Sequence, residues 1–306
     1  MTTTPEVRRA TLVERLAAFV AERHPLALRP ALDAIEDAVA VSGAAPRSEQ
    51  EIEALRQPFR ALLAGRLDET LRPATGGGAP VPIPETTPRV EAAKRLREAR
   101  EEVLDGCDGF LRREALAASL TPHERREILR GMILTRATDN RLKQFFTGGE
   151  VRWGNASFQG KGFRSLGQEA IYAAVIRLRR GAYGDVVSPM IRDLGAVLGM
   201  HNTSETVRMV LSAQMGKSGP PMDGRDLHVG DWQHGILPAM APLGSPALTI
   251  SGIAMAFLLR KEPRVAVSFV GEGTTSLGEW HEAINAAAAR KLPAVFCVQN
   301  NQTALS

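Results

Sequence analysis

The residues best suited to chemistry stand in two short stretches near the end of the chain. Glu272 lies between two glycines directly after the apolar run 265–270, and Asn300 and Asn301 follow the next apolar run, 293–299. A carboxylate oxygen and an amide oxygen are hard ligands that suit Mg²⁺. Glycines beside such a carboxylate leave space for a phosphate to approach the backbone. Together these residues predict a site at which Mg²⁺ lies between the protein and a diphosphate.

The elements around these residues would place them at one edge of a sheet. Residues 264–270 and 293–299 are continuous β-branched and apolar runs, as expected for strands buried on both faces, and 276–292 reads as a helix. Strand, helix and strand at this spacing predict a right-handed βαβ unit with parallel strands. Glu272 and Asn301 would then share the carboxyl edge, where open α/β sheets bind ligands.

Two other interpretations of the glycine-flanked carboxylate stay open at this point. A dinucleotide-binding fingerprint needs a third glycine, and Ser276 stands at that position. A glycine-rich turn without any ligand would also fit the motif alone. The paired asparagines one strand later favour the metal site.

Upstream, the chain predicts a helical region, a linker and an α/β domain. Three segments rich in Ala, Leu, Glu and Arg show helical spacing, and a charged helix is expected at 90–104. Glycines and prolines in the segment that follows the first three helices break all periodicity, as in a linker. We therefore expect a helical N-terminal extension, a linker and an α/β domain, at residues 1–71, 72–89 and 90–306.

Within the predicted α/β domain, further helices and a long loop are expected. Ser165 and Gln168 have the spacing of a capping box that opens a helix over 165–181. A second helix is expected at 204–215. The glycine- and proline-rich segment 216–252 predicts an irregular binding loop.

Composition excludes several classes of function. The chain has 306 residues, 44% of them hydrophobic, and no apolar run long enough to span a membrane. A net charge of +4 without an aromatic-interleaved basic patch argues against nucleic-acid binding. The N-terminus lacks the features of a signal peptide, and Cys107 and Cys297 are expected to be structural thiols. These features predict a cytoplasmic protein.

The motifs also resemble those of a known family. GEG (271–273) followed by NN (300–301) looks like the thiamin-diphosphate motif of thiamin-dependent enzymes. The likeness extends over roughly 120–306 through five further segments, in the same order and spacing as in the family. These are GQEA (167–170), RDLG (192–195), GKSGPPMDGRDLHVG (216–230), APLGSPALTISGIAMAF (241–257) and GEWHEAINAAAARKLP (278–293). Together they resemble the α subunit, or α half, of the decarboxylating component of 2-oxoacid dehydrogenase complexes.

The resemblance implies a thiamin-diphosphate-binding α/β fold with a parallel sheet flanked by helices. It also implies a metal site in which Glu272 and Asn301 bind Mg²⁺ through side chains and Thr303 through its backbone carbonyl. The family often has Asp at the first of these positions, and its branched-chain members have Glu. Gly271, Gly273 and Thr274 would then lie near the diphosphate.

Other positions take roles from the resemblance as well. Arg192 would pair with the diphosphate, although an arginine here could also form a surface ion pair. Leu243, with Pro242 before it, would support the bent cofactor from below. His228 would line the entrance to the active site, although a lone loop histidine could also be merely exposed.

Two positions depart from the family pattern. Ile191 stands where the family usually has Tyr, which removes one hydroxyl contact to the cofactor, and Leu194 stands where His or Ala is common. These changes could weaken cofactor binding or alter substrate choice. They leave the predicted metal ligands intact.

The implied activity is oxidative decarboxylation of a 2-oxoacid, with acyl transfer to a lipoyl group on a partner acyltransferase. A β subunit or β half would be a second partner, because in the family it supplies the glutamate beside the pyrimidine ring. The family domain continues beyond the asparagine pair, so the chain is expected to be truncated at its C-terminal side. A transketolase-like transferase and a non-catalytic fragment remain as alternatives.

Overall fold

The computed structural model describes residues 10–43, 45–70, 88–157 and 164–303. The chain divides into two compact units, Met1–Thr121 and Pro122–Ser306. Almost all of the predicted linker, 72–89, lies outside the described residues. None of the described helices is both long enough and apolar enough to cross a membrane.

The first unit is helical, as predicted. Its helices pack a common core and are α1 (Leu12–Arg23), α2 (Leu28–Ser42), α3 (Glu49–Thr70) and α4 (Ala92–Ser119). Thr11 and Glu14 form a complete capping box at the start of α1. Leu16, Leu63 and Leu111 are fully buried in the core, so apolar residues at helical spacing hold the helices together.

The division between the units differs from the predicted one. Helix α4 is much longer than the expected helix at 90–104, and its second half enters the core of the first unit through Leu104, Cys107 and Leu111. The apolar spacing continues past the charged stretch that set the expected end of the helix. Residues 90–121 therefore belong with the N-terminal helices.

In its described residues, 122–157 and 164–303, the second unit combines five α-helices with two small sheets. The helices are α5 (Pro122–Thr147), α6 (Leu194–Met200), α7 (Ser204–Gln214), α8 (Ser245–Leu259) and α9 (Gly278–Ala289). The strands are β1 (Arg152–Trp153), β2 (Ala156–Ser157), β3 (Val186–Ser188), β4 (Ala266–Gly271) and β5 (Ala294–Gln299). Strands β1 and β2 pair antiparallel, whereas β3, β4 and β5 form a parallel sheet in that order.

The predicted strand, helix and strand at the C-terminal side are confirmed as β4, α9 and β5. Strand β4 is central, and its residues 266–270 are buried. Strand β5 is only partly buried, because Val295 and Val298 keep 50% and 43% of their surface exposed. The expectation of burial on both faces is therefore wrong for β5 within the described residues. Helix α8 contacts β4 and α9 and contributes Ile250 to their apolar core.

Two local predictions are wrong in an informative way. Residues 165–181 form a short 3₁₀ helix at Glu169–Val175, and Gln168 makes no capping hydrogen bond because its side chain bonds Gln299 instead. The loop expected at 216–252 ends early, since α8 begins at Ser245 with Pro246 in its first turn.

The side chain of Tyr172 in this 3₁₀ helix is held rigidly in the core of the second unit. It is fully buried, its hydroxyl donates to Glu127 at 2.6 Å and accepts from Asn202 at 2.8 Å, and burial raises its pKa to about 12. A Cβ built on Gly131 of α5 would lie 2.3 Å from the Tyr172 ring. The glycine is therefore required for the close approach of helix and ring.

We expect Gly131→Ala to lower the free energy of unfolding of the second unit by about 1–3 kcal/mol, because the doubly hydrogen-bonded ring cannot move aside. Gly252→Ala on α8 is the matched control: no atom lies within 4 Å of its added Cβ. The control should gain up to about 1 kcal/mol from helix propensity. Urea titrations of the parent and both variants measure the difference, and equal effects would contradict the packing argument.

Candidate functional site

The parallel pairing of β4 with β5 brings the two predicted ligand segments together. The register pairs Gly271 with Gln299, the last residues of their strands. Glu272 and Asn300 therefore leave the sheet side by side at its carboxyl edge. The predicted placement of these segments at one sheet edge is confirmed.

The side-chain oxygens of Glu272 and Asn301 converge on a single point. The backbone N–H of Thr303 donates to Glu272 Oε1 at 2.7 Å and to Asn301 Oδ1 at 2.9 Å. Both oxygens accept from the same N–H group, which holds them close together, and each keeps a further lone pair for a cation. A carboxylate oxygen with an amide oxygen is also the donor set that Mg²⁺ prefers. The two side chains therefore fit a magnesium ion.

Thr303 takes part in this arrangement through its amide. The role of its carbonyl oxygen as a third ligand stays a prediction. Asn300 supports the turn, since its side chain accepts a hydrogen bond from the Gln302 N–H at 3.1 Å. Gln302 has a φ of 58°, a left-handed conformation that reverses the chain directly after the asparagine pair.

A cleft of about 210 Å³ opens beside this point. It is lined by most of the residues predicted for the cofactor, namely Arg192, Leu243, Gly271, Glu272, Gly273, Thr274, Asn301 and Thr303. Ile191, the departure from the family pattern, lines it too. Further lining comes from residues to which we had given no cofactor role, namely Gln168, Pro189, Met190, Met240, Pro246 and Gln299.

Arg192 is positioned by two successive contacts that begin at helix α5. Its Nε donates to the Arg164 carbonyl at 2.9 Å, and the Arg164 side chain pairs with the buried Asp139. Within the described residues, no carboxylate forms an ion pair with Arg192 and its other guanidinium nitrogens have no hydrogen-bond partner. The arginine is thus oriented by one nitrogen and keeps two for an anion in the cleft.

The segment between Glu272 and the helix predicted at 276–292 is itself a short helical turn. Residues Glu272–Ser276 form a 3₁₀ turn, and α9 begins only at Gly278. The backbone at the cleft therefore belongs to Gly273 and Thr274 of the turn. The first turn of α9 lies further along the chain than predicted.

Two predicted residues stand outside the cleft. The Pro242 carbonyl accepts a hydrogen bond from the Ser245 N–H at 3.1 Å, in the turn that leads into α8. His228 lines a smaller neighbouring cavity, which shares Met190 and Ile191 with the cleft. Its backbone N–H and its Nδ1 lie 2.8 and 3.1 Å from the same oxygen of Asp226.

Sequence reasoning missed a hydrogen-bond chain that runs from the cleft wall to a buried carboxylate behind it. Gln168 donates to the side-chain carbonyl oxygen of Gln299, and the Gln299 side-chain nitrogen Nε2 donates to Asp193 Oδ1 at 2.7 Å. Asp193 Oδ2 accepts the Met190 N–H at 2.8 Å. Asp193 is completely buried, and burial raises the pKa of its carboxyl group from 3.8 to about 6. Gln299 directly precedes the asparagine pair, which is the one signal in the sequence that could have placed it here.

A second polar cluster lies away from the cleft, at His201, Asp231 and His234. The two imidazole rings stack at 3.7 Å between centroids with planes 10° apart. A ring nitrogen binds a metal in the plane of its ring, so two parallel stacked rings cannot direct both lone pairs at one ion. His234 Nδ1 lies 2.6 Å from Asp231, and His201 Nδ1 lies 2.8 Å from the Thr206 hydroxyl. The cluster is thus a hydrogen-bonded stack.

Comparison with known proteins places this site in a family. The family profile described as "Dehydrogenase E1 component" matches residues 140–306. The chain is 31% identical to the 2-oxoisovalerate dehydrogenase subunit alpha of Bacillus subtilis over 192 residues, 62% of this chain and 55% of that protein. It is 27% identical to the pyruvate dehydrogenase E1 component subunit alpha of Staphylococcus aureus over 232 residues, 73% of this chain and 56% of that protein.

A shorter segment is 43% identical to the 3-methyl-2-oxobutanoate dehydrogenase subunit alpha of Mycobacterium tuberculosis, over 84 residues, 25% of this chain and 23% of that protein. The chain spans about half the length of the Bacillus and Staphylococcus relatives. The matched family segment begins within α5 and contains every residue of the cleft.

The raised pKa of Asp193 predicts a pH-dependent stability. Between pH 3.8 and about 6 the folded state keeps a proton that the unfolded state has released. The stabilisation is therefore complete below pH 3.8 and is lost as the pH rises through about 6. The free energy of unfolding of Asp193→Asn, taken relative to that of the parent, should therefore increase by about 3 kcal/mol from acidic to neutral pH. Urea titrations at both pH values measure this gain, with the exposed Glu282→Gln as control. A constant difference at both pH values would contradict the burial argument.

Proposed function

Because the chain belongs to the dehydrogenase E1 component family, we propose that it is the cofactor-binding α part of a 2-oxoacid dehydrogenase. The proposed reaction is thiamin-diphosphate-dependent oxidative decarboxylation of a 2-oxoacid, with transfer of the acyl group to a lipoyl group on a partner acyltransferase. The relatives named for 2-oxoisovalerate, 3-methyl-2-oxobutanoate and pyruvate dehydrogenases support this class of substrate.

The observation that carries the proposal is the convergence of the Glu272 and Asn301 oxygens on one point beside the cleft. A carboxylate facing a diphosphate would be repulsive unless a cation lay between them. We propose that these two side chains hold Mg²⁺, with Thr303 as a third ligand, and that the ion anchors the diphosphate.

The rest of the cleft would bind the cofactor by charge at one end and by apolar contact at the other. Arg192 offers its free guanidinium nitrogens, and Gly273 and Thr274 offer backbone N–H groups, to diphosphate oxygens. Leu243 is 56% exposed on the cleft wall, and Ile191 lines the same cleft, so both can cover an aromatic ring. Ile191 stands where the family usually has tyrosine, and it makes this part of the cleft more apolar.

Thiamin diphosphate, when bound, supplies the carbanion chemistry of decarboxylation, and the chain supplies binding and orientation. Activation of its pyrimidine ring needs a carboxylate. Among the described residues that line the cleft, Glu272 is the one carboxylate, and we assign it to the metal. We therefore propose that a β subunit or β half supplies the second carboxylate. His228, in the neighbouring cavity, is the proposed entrance residue.

A reductive acylation assay tests the reaction class. The protein, combined with a β partner and a lipoyl domain, should acylate the lipoyl group from a branched-chain 2-oxoacid or from pyruvate. Transfer of a two-carbon unit between sugar phosphates, with no lipoyl acylation, would instead support a transketolase-like enzyme.

We predict that Glu272→Ala and Asn301→Ala each raise the Kd for thiamin diphosphate more than about tenfold, and that binding requires Mg²⁺. Each variant removes one of the two converging oxygens. Calorimetry at fixed Mg²⁺ measures the Kd, and Glu282→Ala, an exposed acid on α9, is the matched control. Unchanged affinity in either site variant would show that the converging oxygens hold no metal for the cofactor.

We predict that Arg192→Lys weakens cofactor binding by about 1.5–3 kcal/mol, the range for hydrogen bonds to charged groups. A lysine has all its donors on one nitrogen, so it cannot keep the Arg164 contact and also offer a planar fork to two diphosphate oxygens. Arg208→Lys on α7, which pairs with Glu205 at the surface, is the control. Parent-like calorimetric affinity of Arg192→Lys would favour a role outside the cofactor site.

A further inference from the structure

The hydrogen-bond chain behind the cleft joins elements that are not neighbours in the sheet. Gln299 ends β5 and Asp193 follows β3, and β4 lies between these strands. Their side chains nevertheless meet at 2.7 Å, and Gln168 binds the other end of the Gln299 amide. The hydrogen-bond chain therefore spans the carboxyl edge of the sheet, with Gln168 and Gln299 on the cleft wall and Asp193 behind it.

Two members of this hydrogen-bond chain lie close in sequence to residues of the proposed cofactor site. Asp193 directly follows Arg192 and fixes the Met190 N–H, so its carboxylate closes the loop 190–192. Gln299 stands two residues before Asn301. The loop that presents the arginine and the strand end that presents the asparagine are thus joined by one hydrogen bond.

We call this hydrogen bond between Gln299 and Asp193 the joint. Its formation costs free energy because a carboxylate is buried. The fully buried Asp193 carboxylate accepts hydrogen bonds from two neutral donors, the Met190 N–H and the Gln299 side chain. Arg192 is the positive charge that acts on it. Cys297 of β5 also lies close enough to interact electrostatically with Asp193. His228 lines the same small cavity as Asp193. An apolar residue of similar size would avoid the cost of burying a charge, so simple packing does not account for an aspartate here.

We propose that Asp193 and Gln299, with Gln168, are positioning residues that hold the loop 190–192 in fixed register with the strand end that carries Asn301. The distance between the arginine and the proposed metal ligand would then be fixed before the cofactor binds. This inference rests on the proposed function, and it assigns these three residues no contact with the reacting atoms.

Because the amide of Gln299 donates and the carboxylate of Asp193 accepts, the proposal can be tested by exchanging the amide and the carboxylate between the two positions. In Gln299→Glu two carboxylates face each other, so the joint should open at neutral pH. In the double variant Asp193→Asn with Gln299→Glu the partners are reversed. The amide introduced at position 193 then donates to the carboxylate introduced at position 299, and its carbonyl accepts from the Met190 N–H. Asp193→Asn alone should keep the joint, because the Gln299 and Gln168 amides can both turn over.

Two measurements on the purified protein read the outcome. Calorimetry with Mg²⁺ should show Gln299→Glu raising the Kd for thiamin diphosphate at least tenfold, and the double variant returning to within about threefold of the parent. Hydrogen exchange of the Met190 amide, without cofactor, should follow the same order. The exposed Gln233→Glu should change neither quantity.

The proposal is overturned if Gln299→Glu matches the parent in both measurements, or if the double variant is no better than Gln299→Glu alone. If Gln299→Glu fails to fold, recovery of folded protein in the double variant supports the joint and continued failure opposes it. A parent that binds no thiamin diphosphate would defeat the proposed function, while the exchange of the Met190 amide would still decide whether the joint exists.

Discussion

The site depends first on the parallel pairing of β4 and β5 in one register. Because side chains alternate between the faces of a strand, a slip of one residue would turn Gln299 away from the buried side of the sheet edge. It would also move Asn301 relative to Glu272. Burial of the central strand fixes the register, since Phe269 and Val270 are almost fully enclosed. The apolar core thereby sets the geometry of the polar groups beyond the strand ends.

The helices contribute to the site through the loops that they anchor. Helix α5 carries Asp139, which binds the Arg164 side chain and the Ser165 N–H, and the Arg164 carbonyl orients Arg192. The close approach of Gly131 to Tyr172 lets the 3₁₀ helix pack on α5, which brings Gln168 within reach of the sheet. Positions far apart in sequence thus meet because small residues allow close packing.

The sequence was sufficient to predict the βαβ unit and the placement of Glu272 and Asn301 at one edge of the sheet, because strand periodicity and motif spacing are local signals. It was insufficient for Gln168, which has the spacing of a capping residue but bonds a side chain 131 positions away. No local pattern encodes that contact. The burial of Asp193 was equally invisible, because an acid beside an arginine reads as solvent-exposed. The end of helix α4 was also predicted wrongly. Its apolar residues are interspersed with many charged ones, and their common face is evident only from the core that they pack against.

Charge balance in the cleft favours a divalent cation in the proposed complex. Among the described residues that line it, Arg192 is the one cation and Glu272 the one anion, so their charges cancel. A diphosphate entering this cleft would bring at least two negative charges, and the buried Asp193 behind it adds to the repulsion at neutral pH. Much of the remaining lining is apolar, and low polarity strengthens electrostatic interactions. A divalent ion on Glu272 and Asn301 would offset this excess, so the carboxylate that would repel a bare diphosphate would become the group that retains it.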